Sequence, residues 1–174
     1  MQRAILLFFI VLPFSAIPLK AHSKIRHNQK MTRFSATVIS CHDGDTCRVK
    51  FRDETIKIRF AGIDAPEIGQ VEGNSSKEFL ESKILKKTID LDCQGKSYDR
   101  LVCQVYLEGA DINEEMVRQG YALDYAAFSK GKYKVLMEAA KRNKIGIWRT
   151  LFKSPFCTRH EKDKNCLSDA LYNQ

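Results

Sequence analysis

The sequence predicts a small β-barrel decorated by helices, an α+β arrangement, on three observations. Five short stretches alternate apolar and polar residues, one helical stretch follows the third of them, and two more follow the fifth. At 174 residues the chain has room for one domain with a real core rather than two.

The first segment stands apart from that pattern. "MQRAILLFFIVLPFSAIPLKAHS" carries one Arg, then an apolar stretch from Ala4 to Leu19 interrupted by Pro13, Ser15 and Pro18. It is poorly suited to spanning a membrane, and Ala21-His22-Ser23 forms a small-x-small cleavage pattern. Residues 1–23 are therefore expected to be an export signal, with no stable membrane association after its removal. Residues 24–32, polar and without periodicity, are expected to be a flexible leader. The folded domain is placed at 33–152 and a cysteine-containing tail at 153–174.

Within the domain, Phe34, Ala36 and Val38 alternate, and Ile39, Cys41, Cys47, Val49 and Phe51 fall on one face across a turn. In "TIKIRFAG", Ile56, Ile58 and Phe60 alternate with Lys57 and Arg59, so Arg59 points away from the Ile58 face. "NSSKEFLESKILKKT" reads as a helix with Ser75-x-x-Glu78 as a capping box. Strands follow over Ile89–Gln94 and Leu101–Leu107. "DINEEMVRQG" is a short helix capped by Asp111 and stopped at Gly120. The third helix covers 132–145, with Tyr133, Leu136, Met137 and Ala140 at helical spacing, and ends at Gly146 before Trp148, a core plug. Five strands in this arrangement make the five-stranded OB-fold with three α-helices the natural candidate, a barrel that often carries nucleic acid on one face.

Charge points the same way. The formal net charge of +8 falls to +6 once Arg3 and Lys20 of the signal are set aside, and a basic exported domain favours a polyanionic partner. Export also makes the six cysteines read as disulfides, although six allow 15 connectivities.

"ISCHDGDTCRVKF", residues 39–51, sets His42, Asp43 and Asp45 between Cys41 and Cys47. A zinc knuckle needs Cys pairs at two- to four-residue spacing with a second pair to match, and neither is present. A hairpin fits better. Asp43-Gly44 is a turn dipeptide, and pairing about Gly44 sets Ile39 opposite Val49 and Cys41 opposite Cys47. Cys93 and Cys103 are likewise symmetric about Tyr98. Either hairpin suits a cross-strand disulfide or a buried thiol pair, and Cys157 and Cys166 remain for a third bridge in the tail.

The acids between the cysteines gain meaning from the next cluster. "IRFAGIDAPE", residues 58–67, holds Arg59, Asp64 and Glu67, and "SYDR" at 97–100 adds Arg100. All lie at strand ends or turns, where a barrel gathers side chains at one mouth. Hard carboxylate oxygens suit Ca²⁺, guanidinium forks grip phosphate, and a spare carboxylate can orient or deprotonate water.

"HDGDT", "IRFAGIDAPE", "YDR", "VRQGYA", "DY" and "AKRNKIGIW", in that order over roughly residues 34–149, resemble the staphylococcal nuclease (thermonuclease) family. The resemblance implies an OB-fold and a Ca²⁺-dependent endonuclease acting on DNA and RNA, single-stranded preferred, as a monomer, leaving 3′-phosphate ends. It implies that Asp45, Asp64 and the main-chain carbonyl of Ala65 hold the metal, and that Glu67 is general base or water-orienting group. Arg59 and Arg100 would neutralise charge on the phosphoryl oxygens, Asp43 would lie just outside the metal, and Tyr98 and Tyr125 would contact the nucleotide. Ser97 and Asp99 stand where the best-known member has Lys and Gly, which should weaken binding of a terminal phosphate. A non-catalytic OB module that only binds nucleic acid, and a disulfide-stapled domain that binds an anionic surface, are the rival readings. The complete set Asp45, Arg59, Asp64, Glu67 and Arg100 favours the enzyme.

Overall fold

The computed structural model describes residues 32–150, 153–160 and 166. The expected export signal lies outside the described residues, as does all of the leader except Thr32, which is the first residue of a strand. In chain order the elements are β1 (Thr32–Cys41), β2 (Thr46–Phe51), β3 (Glu54–Phe60), β4 (Ile63–Asp64), α1 (Gly73–Ile84), β5 (Thr88–Ser97), β6 (Arg100–Leu107) and β7 (Ala110–Asp111). There follow α2 (Ile112–Arg118), β8 (Leu123–Asp124), α3 (Ala126–Ser129), α4 (Lys134–Arg142), a 3₁₀ turn at Gly146–Arg149, and α5 (Pro155–Arg159).

Five strands run in the order β3-β2-β1-β5-β6, and the sheet closes because β6 also lies parallel to β3, with Arg59 opposite Val102. Closure removes the exposed edges that a short open sheet would leave. The result is the expected OB-type barrel. Alternate side chains fill it: Val38, Val49, Ile58, Phe60, Ile89, Leu91 and Val105 are buried, with Leu80 and Ile84 of α1 and Met116 and Val117 of α2 packed on them. Tyr133 joins this core. Trp148 is buried too, but in a separate small cluster with Leu123, Ala140 and Ile147 rather than under the barrel itself.

Several local expectations need correction. Ile39 does not face Val49. A bulge between Val38 and Ser40 shifts the register, so Val38 pairs with Val49 while Cys41 still pairs with Cys47. Ile39 is 44% exposed, pushed out as the extra residue. The bulge reconciles two apolar phases that a regular strand could not hold on one face. The capping box also fails: α1 begins at Gly73 behind a left-handed Glu72, and no side chain caps it. Ser76 is fully buried and its hydroxyl donates to the Tyr121 carbonyl at 2.6 Å. Asp111 does cap α2, accepting from the Glu114 amide at 3.0 Å. The described residues hold five α-helices rather than three, because α3 and α5 are one-turn additions.

The cysteines pair as 41–47, 93–103 and 157–166. The first two join opposed residues of β1–β2 and β5–β6.

Candidate active site

The site grows from two turns at one end of the barrel. The loop 42–45 closes the β1–β2 hairpin, with the His42 amide donating to the Thr46 carbonyl at 2.7 Å. Inside it, the Asp43 carboxylate accepts from the Asp45 amide at 3.0 Å, which aims Asp45 away from the turn. Gly44 is glycine for want of space rather than for its backbone angle. Its φ lies outside the left-handed region, but a Cβ there would stand 1.9 Å from the Ser76 hydroxyl oxygen and 2.8 Å from the Ala65 Cβ.

The second turn leaves β3 after Phe60 and runs through β4. Pairing of Asp64 with Leu123 and Ile63 with Asp124 fixes its path. The two turns are then bolted together. The Ala65 amide donates to Asp45 Oδ2 at 2.8 Å, and the Phe60 amide donates to the Asp45 carbonyl at 2.8 Å. Asp45 and Asp64 are 4% and 3% exposed, so neither carboxylate could stay charged there without partners.

Arg59 supplies the first of these. Its guanidinium ion-pairs with Asp45 Oδ1 and reaches Asp64 Oδ1 at 3.1 Å, while also donating to the Ile63 carbonyl at 3.2 Å. Burial pulls its pKa below the ordinary arginine value, opposed by Asp64 and Asp43. Burial likewise pushes the Asp43 carboxyl above its usual range, against the pull of Arg59, His42 and its hydrogen bonds with Thr46. Arg100, at the start of β6, joins through Thr46. Its Nη1 donates to the Thr46 hydroxyl at 3.3 Å, and that hydroxyl donates to Asp45 Oδ1 at 3.1 Å.

Glu67 follows Pro66 in a tight loop where the Glu67 amide donates to Gln70 Oε1 at 3.1 Å. Gly73 lets α1 begin against this loop, since a Cβ there would be 2.0 Å from the Glu67 carbonyl oxygen. Asp45, Arg59, Asp64, Glu67 and Arg100 are thus brought to one mouth.

The two tyrosines stand differently. Tyr98 is 93% exposed at the tip of the β5–β6 turn, in a left-handed conformation. Tyr125 is half-buried beside the site, its amide bonded to the Gly62 carbonyl at 3.0 Å. The anion introduced by Asp99 is offset, because Lys57 ion-pairs with it and holds its pKa below the usual carboxylate value.

Sequence reasoning missed Arg159. From α5 its guanidinium reaches Asp64 Oδ1 at 2.5 Å and Glu67 Oε1 at 3.1 Å. Burial works against its charge, yet Asp64 and Glu67 outweigh that and hold its pKa above the ordinary value. No periodicity or motif marks it. The one local signal is Ser154-Pro155, a cap followed by proline at a helix start, with the Ser154 hydroxyl accepting from the Cys157 amide at 3.1 Å.

The donor set fits a hard cation. Two buried carboxylates lie linked through one amide and one guanidinium, and every side-chain donor is oxygen. Among the described residues, no group of three or more His, Cys, Asp or Glu side chains closes around a point. A cation held here would need main-chain oxygen, water and substrate to complete its shell.

Residues 57–150 match the family described as Staphylococcal nuclease homologue. An uncharacterized endonuclease of Haemophilus influenzae is 36% identical over 151 residues, covering 84% of this chain and 79% of its own. An uncharacterized endonuclease of Escherichia coli O157:H7 is 33% identical over 129 residues, with coverages of 72% and 84%. The micrococcal nuclease of Shigella flexneri is 28% identical over 128 residues, with coverages of 66% and 74%. With more than half its length matched to the family profile, and relatives this similar across most of their own length, the chain belongs to the staphylococcal nuclease homologue family.

Proposed function

We propose that the protein is an exported, Ca²⁺-dependent endonuclease that hydrolyses phosphodiester bonds of DNA and RNA, prefers single strands, acts as a monomer and leaves 3′-phosphate ends. One observation carries the reading: Arg59 spans both buried carboxylates, and Glu67 stands just beyond them with a side chain 47% exposed to solvent. A module that merely binds nucleic acid has no use for a buried acid pair locked to an arginine.

In this reading Asp45, Asp64 and the Ala65 carbonyl would hold Ca²⁺, which would supply Lewis-acid charge to the scissile phosphate. Glu67, the more solvated carboxylate, takes the proton of the attacking water. Arg59 and Arg100 donate to the phosphoryl oxygens as charge grows on them. Arg59 is already fixed by three oxygens, so little reorganisation is needed at the moment of reaction. Asp43 sets the Asp45 backbone, and Tyr98 and Tyr125 contact the nucleotide. Residues 1–23 would direct export, a reading supported by the three disulfides. No helix of the described residues is long and apolar enough to cross a membrane.

The test is digestion of single-stranded DNA by the purified chain, with Ca²⁺ and then with excess chelator. Cleavage that requires Ca²⁺, with ends that lose a phosphate to a 3′-phosphatase, is expected. Full activity in chelator would overturn the calcium assignment. A mobility shift with no cleavage would reduce the protein to a binder.

A further inference from the structure

We propose, resting on that reading, that α5 extends the substrate site with an aromatic strip on which the bases of a single strand stack. Four rings form a continuous run. Phe128 lies 4.8 Å from Tyr125, Tyr125 lies 6.1 Å from Phe156, and Phe156 stacks on His160 at 4.4 Å with an interplanar angle of 22°. Phe128 is 71% exposed and His160 is exposed as well. A lone exposed aromatic means little, but a run of rings beside a phosphate-handling site is how single strands are held without sequence preference.

The strip is aimed at the chemistry. Tyr125 is hydrogen-bonded to Gly62, at the start of the turn that carries Asp64, and the neighbouring β8 pairs with β4. At its other end, Arg159 sits between Phe156 and His160 in sequence and binds Asp64 and Glu67. Arg159 therefore fastens α5 to Asp64 and Glu67 and sets the rings at a fixed offset from them. The tail is held firmly from its own side too. Ser154 and Pro155 are buried, and Cys157 is buried in its bridge to Cys166.

α5 lies beyond residue 150, where the family match stops, so Phe156, Arg159 and His160 lie outside the matched segment. Bases in a duplex are already stacked on one another and present only their edges. The strip thus gives a physical source for single-strand preference. Of the polyanions a basic protein could meet, only nucleic acid offers flat rings at the spacing of its charges.

The experiment measures equilibrium binding of a labelled oligothymidylate and of a hairpin duplex, in chelator so that neither is cut, with Phe156→Leu, Phe156→Trp and His160→Ala. Leu keeps apolar packing under α5 but removes the π-face. Phe156→Leu should weaken single-strand binding about five- to 150-fold, the range for one base–aromatic stack, and leave duplex binding within about twofold. His160→Ala should act in the same direction but less, and Phe156→Trp should bind single strands at least as well as the native chain. Wild-type single-strand affinity in Phe156→Leu, or equal losses for both ligands, would overturn the strip. Cleavage of the same oligothymidylate by the native chain on adding Ca²⁺ is scored separately. Its absence would sink the nuclease reading and not the strip.

Discussion

Replacing Gly44 by alanine puts a methyl group into a space that is already taken. The added Cβ would sit 1.9 Å from the Ser76 hydroxyl oxygen, 2.9 Å from its Cβ and 2.8 Å from the Ala65 Cβ, whereas non-bonded carbons settle near ~3.5–4.0 Å. Two responses are open. Ser76 can turn away, giving up its bond to the Tyr121 carbonyl, or the loop 42–45 can retreat by about 1 Å. Overpacking costs about 1–3 kcal/mol and the lost hydrogen bond about 1 kcal/mol, so a stability loss of about 2–4 kcal/mol is expected. The catalytic loss is larger in proportion, because Asp43 and Asp45 flank Gly44 and the Asp45 carboxylate is bonded to Ala65, one of the clashing residues. A displacement of about 1 Å of a positioned group costs about 10²-fold in rate. Single-turnover cleavage at saturating Ca²⁺, beside urea melts followed by the buried Trp148, measures both effects. Since the φ of Gly44 suits any residue, strain of the backbone is not in play, and Gly44→Ala with Ser76→Gly should recover part of the rate. Native cleavage by Gly44→Ala would refute the packing argument.

Arg59→Lys and Arg100→Lys should lower kcat by about 10²–10³ while single-strand Kd in chelator stays within about tenfold, because a lysine, a point charge, cannot reproduce a planar fork; unchanged cleavage with weakened binding would mean these arginines only hold substrate. Asp43→Asn should stabilise the Ca²⁺-free protein at neutral pH. Its folded-state pKa is raised, so the native state favours the protonated acid, and that preference is fully present below about pH 4 and lost as pH rises through the folded pKa. The stability gap between Asp43→Asn and native chain should therefore widen with pH in urea melts, and a gap that shrinks would contradict the burial cost. Asn113→Ala should destabilise by about 1–3 kcal/mol, since it strips its partner from the buried Val105 amide, which the Asn113 side chain accepts from at 3.0 Å, and also releases the half-buried Ala61 carbonyl, bound at 2.9 Å. A urea midpoint within error of native would show that water takes over both groups.

How much of this could be seen in the sequence depends on how local the cause is. Barrel strands were legible because a half-buried strand must alternate, and the alternation in "TIKIRF" survives with Ile58 and Phe60 buried. Cys41 and Cys47 were legible as partners because a short turn leaves little choice of register. Ile39 was not, because one inserted residue reverses the facing of everything before it, and alternation cannot say where the insertion lies. Gly44 lies in the turn that its dipeptide predicts, yet the turn is not what requires glycine. Its spacing beside Asp43 signalled a turn, but the demand for glycine comes from Ser76, more than thirty residues away on α1. Arg159 is the extreme case. Its partners lie 95 and 92 residues back, and nothing in the tail's own composition distinguishes it from a solvated charge.

The disulfides tie these cases together. Two of the bridges hold segments that carry site residues, and the third, Cys93–Cys103, joins two buried strand residues in the barrel core. Cys41–Cys47 brackets the loop that carries Asp43 and Asp45. Cys93–Cys103 pins β5 to β6 at the residue of β6 that faces Phe60 across the parallel seam, one step from Arg59. Cys157–Cys166 clamps the short helix that delivers Arg159. A five-residue helix is too short to persist by its own hydrogen bonds, and a site built on turns loses rate with every fraction of an ångström of play. A closed barrel keeps its strands in register but exerts no comparable hold on the turns at its mouth. In this chain Cys41–Cys47 and Cys157–Cys166 fall at those segments, so their oxidation acts on the positioning of Asp43, Asp45 and Arg159 more than on the existence of the fold. Mild reduction should accordingly cost cleavage rate before it costs far-ultraviolet circular dichroism, and loss of both signals in step would show that the bridges hold the barrel instead.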